Sequence, residues 1–270
     1  MLEQEFPDIP LIGEEDPSVL AKNPDMRQKV LGLVQAQVDV SEKDMLNAIG
    51  RGSGTDTAPY FWTLDPIDGT KGFLRQDQYA VALALIKDGE LQLGVLGCPN
   101  LSLDFDHPEQ GNGALLYAVK GEGAFLQPLK DGEAVRIKVD TDPGNARFVE
   151  SVESAHSAHS VHTKISDALN IGGDPLRIDS QCKYAVVARG DVAIYLRYPR
   201  DDQYREKIWD HAAGAIIVQE AGGTVSDIFG TPLNFGLGQT LKDNKGIVVT
   251  NGIFHNQTIE TIERIQKGDL

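Results

Sequence analysis

Short apolar runs separated by Gly and Asp turns occupy residues 79 to 127, whereas residues 24 to 48 space their apolar side chains as a helix does. In the second stretch Val30, Leu33, Val34, Val38, Met45 and Leu46, with Ile49 just beyond, predict helical pieces. In the first, Tyr79 to Ile86 and Leu91 to Gly97 flank Lys87-Asp88-Gly89-Glu90 and predict a β-hairpin. Ala114 to Val119 and Gly123 to Gln127 predict a second pair of strands, joined through Lys120-Gly121-Glu122. An apolar strand within Phe6 to Ile12 runs into the acidic turn Gly13-Glu14-Glu15-Asp16. The first half therefore reads as α+β with an antiparallel sheet.

Residues 130 to 145 are polar and turn-rich, which predicts a change of lobe and divides the chain into 1–140 and 141–270. Strand-like Arg147 to Ser151, a helix near Val161 to Leu169, strand-like Leu176 to Asp179, a helix from Lys183 to Ala188 and a strand over Val192 to Arg197 then alternate. A further helix beginning at Asp210 and ending near Gly222-Gly223 completes an α/β second lobe. Glu220 to Asp227 reads as the end of that helix, a glycine cap and a new strand.

Composition narrows the possible partners. Of 270 residues, 41% are hydrophobic, enough for a real core, while 40 acidic residues against 25 basic give a net charge of −15. That balance argues against sequence-independent binding to nucleic acid or an anionic membrane, and a small anionic substrate would need metal ions and local basic residues. The apolar runs are too short to span a bilayer, and Met1 to Glu5 lacks the pattern of a signal sequence. Only Cys98 and Cys182 are present, without paired spacing, so a reducing, cytoplasmic setting is expected.

The chemistry concentrates in Trp62-Thr63-Leu64-Asp65-Pro66-Ile67-Asp68-Gly69-Thr70-Lys71-Gly72. Asp65 closes an apolar strand, Pro66 fixes its own φ, and Gly69 permits a tight turn, so two carboxylates can converge on one cation. Gly69 to Gly72 open a helical turn whose unpaired N–H groups attract anions, and a phosphate fits between amides and metal. Glu14 and Glu15 offer a third carboxylate. In Ile208-Trp209-Asp210-His211-Ala212-Ala213-Gly214, Asp210 precedes a helix of small residues and can cap it, bind metal, or do both. His156, His159 and His162 are spaced by three in a serine-rich stretch, which suits a polar helix entry better than a zinc site.

Gly13-Glu14-Glu15, Asp65-Pro66-Ile67-Asp68-Gly69-Thr70 and Trp209-Asp210-His211-Ala212-Ala213-Gly214, in that order, resemble the lithium-sensitive, magnesium-dependent phosphatases that include inositol monophosphatase. Asp68 to Leu74, Ser180-Gln181-Cys182-Lys183-Tyr184 and Tyr195-Leu196-Arg197 are similar to the 3'(2'),5'-bisphosphate nucleotidase branch. The resemblance implies a layered sugar-phosphatase-type fold and hydrolysis of the 3'-phosphate of adenosine 3',5'-bisphosphate, or of its sulfated relative, in sulfur assimilation. It implies Mg²⁺ bound by Glu14, Asp65, the Ile67 carbonyl, Asp68 and Asp210. Thr70 would position the attacking water, with Glu14 and Asp65 beside it as catalytic groups, and Gly69, Thr70, His156, Ser180, Lys183, Arg197 and Asp210 would surround the nucleotide. Lys183 and Arg197 suit a second phosphate, which is best held by fixed cationic donors.

The expected partner is thus a small nucleotide bisphosphate and the expected state a monomer. Inositol phosphates are the alternative substrates, and a nucleotide-binding fragment without turnover is the alternative from another class. Members of the family begin with helices upstream of the glutamate turn, which carry an aspartate that helps activate water. Here only thirteen residues precede Glu14, so that aspartate has no counterpart and exposed apolar sheet surface is expected.

Overall fold

The computed structural model describes residues 2–55, 58–152, 159–199 and 201–270. After a one-turn helix α1 (Leu2–Glu5), β1 (Leu11–Gly13) leads to α2 (Ser18–Lys22), α3 (Pro24–Gln35) and α4 (Glu42–Gly50). Two of these starts are capped by side chains. Asn23 accepts from the Met26 N–H ahead of α3, where Pro24 sits in the first turn, and Ser41 accepts from the Asp44 N–H ahead of α4.

A seven-stranded sheet follows: β1, then β2 (Tyr60–Asp68), β3 (Ala80–Lys87), β4 (Glu90–Ser102), β5 (Asn112–Val119), β6 (Gly123–Pro128) and β7 (Val135–Ile137), in sequence order. The helix α5 (Thr70–Arg75) joins β2 to β3. All pairs are antiparallel except β1 with β2, which run parallel with Leu11 opposite Trp62. Asp88 and Gly89 both take positive φ, as the two-residue turn between β3 and β4 requires. The strand carrying the Asp65 motif does not end at Asp65. It continues to Asp68 with a register shift between the two aspartates, because Pro66 lacks the N–H that an unbroken ladder needs.

The second sheet holds β8 (Phe148–Glu150), β9 (Leu176–Arg177), β10 (Ile194–Arg197), β11 (Thr224–Ser226) and β12 (Ile247–Thr250) in the order β11-β12-β10-β8-β9. It is mixed: β8 pairs parallel with β9 and β10, whereas β12 runs antiparallel to β10 and β11. Helix α6 (His159–Leu169) follows β8, and α9 (His255–Lys267) closes the chain. Helices α7 (Cys182–Ala188) and α8 (Ala212–Glu220) are apolar on nearly every face, as helices lodged inside a core must be. Every residue of α7 and residues 212–218 of α8 are buried, and one continuous core joins both sheets through them. The sequence reading did not anticipate β7, β12 or α9.

Glycine sets the spacing of this middle layer. A Cβ on Gly94 of β4 would lie 2.4 Å from Ile216, and one on Gly214 would lie 2.3 Å from the Tyr184 ring. The other face of the seven-stranded sheet presents Leu83, Leu93, Val95, Leu115, Tyr117 and Phe125 only half-buried, with Val81 exposed. No helix among the described residues is long and apolar enough to cross a membrane.

Candidate active site

A cleft of about 240 Å³ opens where β2 and α5 meet the segment leading into α7, the end of β10 and the turn before α8. Its lining includes Glu14, Asp65, Ile67, Asp68, Gly69, Thr70, Ser180, Lys183, Arg197 and Asp210. The residues singled out in the sequence for the site are therefore brought together, apart from Glu15, which does not line this cleft, and His156, which lies outside the described residues. His162 is elsewhere, buried with its Nδ1 2.7 Å from Glu150.

The local fold explains how the acids converge. Asp65 Oδ1 accepts from the Ile67 N–H at 3.0 Å, closing a turn around Pro66 that swings Asp68 back to the side of Asp65. The Thr70 hydroxyl donates to the Ile67 carbonyl at 3.3 Å. Gly69 caps α5 in the left-handed conformation at φ 85°, and a Cβ there would lie 2.8 Å from that of Ser180. Ser180 itself has φ 62°, an uncommon conformation for a residue with a side chain, enforced by this close approach of two loops. Asp210 does not cap α8. It ends a 3₁₀ turn, Ile208–Asp210, and the residue at the cap is His211, which leaves the Asp210 carboxylate to the cleft.

Oxygens of Asp65, Asp68 and Asp210 all lie within 4.8 Å of one another. Burial, then the neighbouring charges of Asp68 and Glu14 and a hydrogen bond to Glu14, push the Asp65 carboxyl up to about 10. Burial and the charge of Asp68 raise Asp210 to about 8, and burial also raises Glu14 and Asp68. Carboxyls so crowded cannot all be ionised without a positive charge among them. An all-oxygen donor set of this kind fits a hard divalent cation.

The opposite wall is cationic. Lys183 is only 4% exposed, lies over the Tyr195 ring at 5.4 Å, and is lowered to about 8 by burial, against the pull of Asp68. Arg197 is held firmly protonated: burial opposes its charge, but Tyr195, Glu206 and Asp210 more than offset that. The cleft thus joins an acidic wall that needs cations to a basic wall that needs an anion.

Two further residues order the site. Gln181, 1% exposed, donates its backbone N–H to Asp68 Oδ2, while its side-chain amide donates to the Trp209 carbonyl at 2.8 Å and accepts from the Gly214 N–H at 3.0 Å. It thereby caps α8 from outside, where His211 makes no capping bond, and ties the Asp68 turn to the Asp210 turn. Glu206 accepts from Arg197 Nε at 2.9 Å and lies 3.3 Å from His211 Nε2. Neither role was read from the sequence. Gln181 lay inside a noted string but carried no periodic or charge signal, and Glu206 in Arg205-Glu206-Lys207 looks like ordinary surface charge.

The comparisons with known proteins agree. The model of the inositol monophosphatase family matches residues 1–267. A 3'(2'),5'-bisphosphate nucleotidase of Schizosaccharomyces pombe is 41% identical over all of this chain and 81% of its own length. One from Dictyostelium discoideum is also 41% identical, over 97% of this chain and 80% of its own. Among solved structures, an IMPase from Thermotoga maritima superposes with a TM-score of 0.61 at 23% identity, covering 99% of this chain and 79% of its own. An inositol monophosphatase from Anabaena gives 0.61 at 21% identity, covering 97% and 81%. With the carboxylate cleft in place and the family match running almost end to end, this chain belongs to the inositol monophosphatase family.

Proposed function

We propose that this chain hydrolyses the 3'-phosphate of adenosine 3',5'-bisphosphate, releasing AMP and phosphate, with Mg²⁺ as the cation, and that 3'-phosphoadenylyl sulfate is a related substrate. The observation that carries the reading is the two-sided cleft: Asp65, Asp68, Asp210 and Glu14 on one wall, Lys183 and Arg197 on the other. A substrate with two phosphates satisfies both walls at once. The curated relatives named as bisphosphate nucleotidases support the same substrate class.

In this reading Glu14, Asp65, the Ile67 carbonyl, Asp68 and Asp210 hold the metal. Bound there, Mg²⁺ would polarise the phosphate and lower the pKa of the attacking water. Thr70, tethered through its hydroxyl to Ile67, orients that water, and Glu14 and Asp65, which share a hydrogen bond without metal, would stand beside it as carboxylates once a cation displaces their shared proton. Gly69 and Ser180, in contact across the cleft, shape the seat of the scissile phosphate. Lys183 and Arg197 hold the second phosphate, and His156 would add a contact to the nucleotide. The reading extends to a cytoplasmic setting, on the strength of two buried and unbridged cysteines.

Phosphate release from adenosine 3',5'-bisphosphate and from inositol 1,4-bisphosphate, each with Mg²⁺, tests the assignment. Lys183→Ala and Arg197→Ala should each raise KM for the nucleotide roughly tenfold or more. Turnover of the inositol substrate alone would point to the inositol phosphatases instead.

A further inference from the structure

Arg197 is the residue most exposed to a choice of orientation, because an arginine side chain has several rotatable bonds and its guanidinium offers five donors in a fixed fork. The fold removes that choice from behind. Glu206, 4% exposed and outside the cleft lining among the described residues, accepts from Arg197 Nε at 2.9 Å. Four of the five N–H donors are then on the terminal nitrogens; the Tyr195 and Tyr204 hydroxyls also hydrogen-bond the Arg197 side chain, which lines the cleft.

Glu206 is itself pinned. The Tyr184 hydroxyl is 2.7 Å from His211 Nδ1 and His211 Nε2 is 3.3 Å from Glu206, all three groups being buried. The distances fit Tyr184 donating to Nδ1 and Nε2–H donating to Glu206. The chain Tyr184, His211, Glu206, Arg197 thus links α7, the cap of α8 and the end of β10 into one rigid backing.

We infer that Glu206 is a positioning residue for substrate selection: its carboxylate, fixed by His211, aims Arg197 at the phosphate that is not cleaved, and so sets the preference for bisphosphates over monophosphates. This rests on the proposed function, and it adds a residue outside the cleft lining whose carboxylate oxygen lies within 4.8 Å of one on Asp210. Its role is one of reach rather than of charge. A negative group behind Arg197 partly cancels the arginine's attraction for an anion, so charge alone would work against binding.

The test uses the full chain with Glu206→Asp, which keeps the charge but withdraws the acceptor by one methylene, and Glu206→Gln, which keeps the reach and an acceptor oxygen. KM, kcat and calorimetric Kd are measured for adenosine 3',5'-bisphosphate and for adenosine 3'-monophosphate. The expected result is that E206D weakens the bisphosphate by about tenfold in KM and Kd, with kcat and the monophosphate constants held within about twofold, whereas E206Q stays within roughly threefold of the parent. In an Arg197→Ala background E206D should add nothing. Equal damage from E206D and E206Q, bisphosphate binding tightened by more than about threefold in either, or equal weakening of both substrates would overturn the inference. Failure of the unsubstituted protein to bind or cleave the bisphosphate would instead overturn the functional reading, so the two failures are distinct.

Discussion

Asp65, Asp68 and Asp210 bring oxygens within 4.8 Å of one another, and the chemistry of the site follows from that crowding. Replacing Asp68 by Asn should remove a metal ligand while preserving shape. We expect a loss of at least about 100-fold in kcat/KM and a matching loss of Mg²⁺ affinity by calorimetry. Lys183 makes a separate prediction: with burial holding it near 8, its charge is lost as pH rises through that value, so KM for the bisphosphate should climb above pH 8 at saturating Mg²⁺. An unchanged KM across that range would count against Lys183 as a phosphate ligand. Asp65 and Asp68 were legible in the sequence for a physical reason: two carboxylates, a proline and a glycine at fixed offsets form a local pattern within thirteen residues, whereas Lys183 stood out only through the family resemblance. Gln181 and Glu206 were not legible, because their importance comes from burial and from partners 28 to 113 positions away in the case of Gln181.

At the scale of elements, glycines decide how closely the layers approach. Gly69→Ala would force a side chain into φ 85° and against Ser180, so it should cost activity as well as stability, readable as lost turnover beside a Tm lowered by a few degrees. Gly214→Ala places a Cβ 2.3 Å from Tyr184 in the middle of the core, so it should lower Tm instead, by several degrees for an overpacking cost of about 1–3 kcal/mol. Strands β3, β5 and β6 were predicted to within two residues of their ends, since Asp-Gly and Gly turns punctuate them, whereas β4 runs on from the predicted Gly97 to Ser102. The strand β12, Ile-Val-Val-Thr, is too short for periodicity to separate from other buried segments. Helix α9 escaped because its buried positions include His255, Thr258 and Thr261, polar residues whose hydroxyls or rings find partners inside the fold.

For the whole molecule, the acidic cluster is a source of instability that a cation relieves. Asp65 and Asp210 have folded-state values of about 10 and about 8, far above the 3.8 of an ordinary aspartate. Between those limits the folded state binds more protons than the unfolded one, so the metal-free protein should lose stability as pH rises from about 4 toward 8. Mg²⁺ should flatten that decline and raise Tm most at the upper end, because it binds the ionised carboxylates of the folded state. A metal-free Tm that rose with pH over this window would contradict the crowding described here. The larger core cluster joins both sheets, so Glu14, Asp65 and Asp68 of the first stay in register with Lys183 of α7, Arg197 of β10 and Asp210 of the turn before α8. The most direct test of that two-walled cleft is phosphate release from adenosine 3',5'-bisphosphate by the purified chain, with and without Mg²⁺. Mg²⁺-dependent release of one phosphate per nucleotide, leaving AMP, is the predicted result; no release at saturating Mg²⁺, or release that persists after chelation, would contradict it.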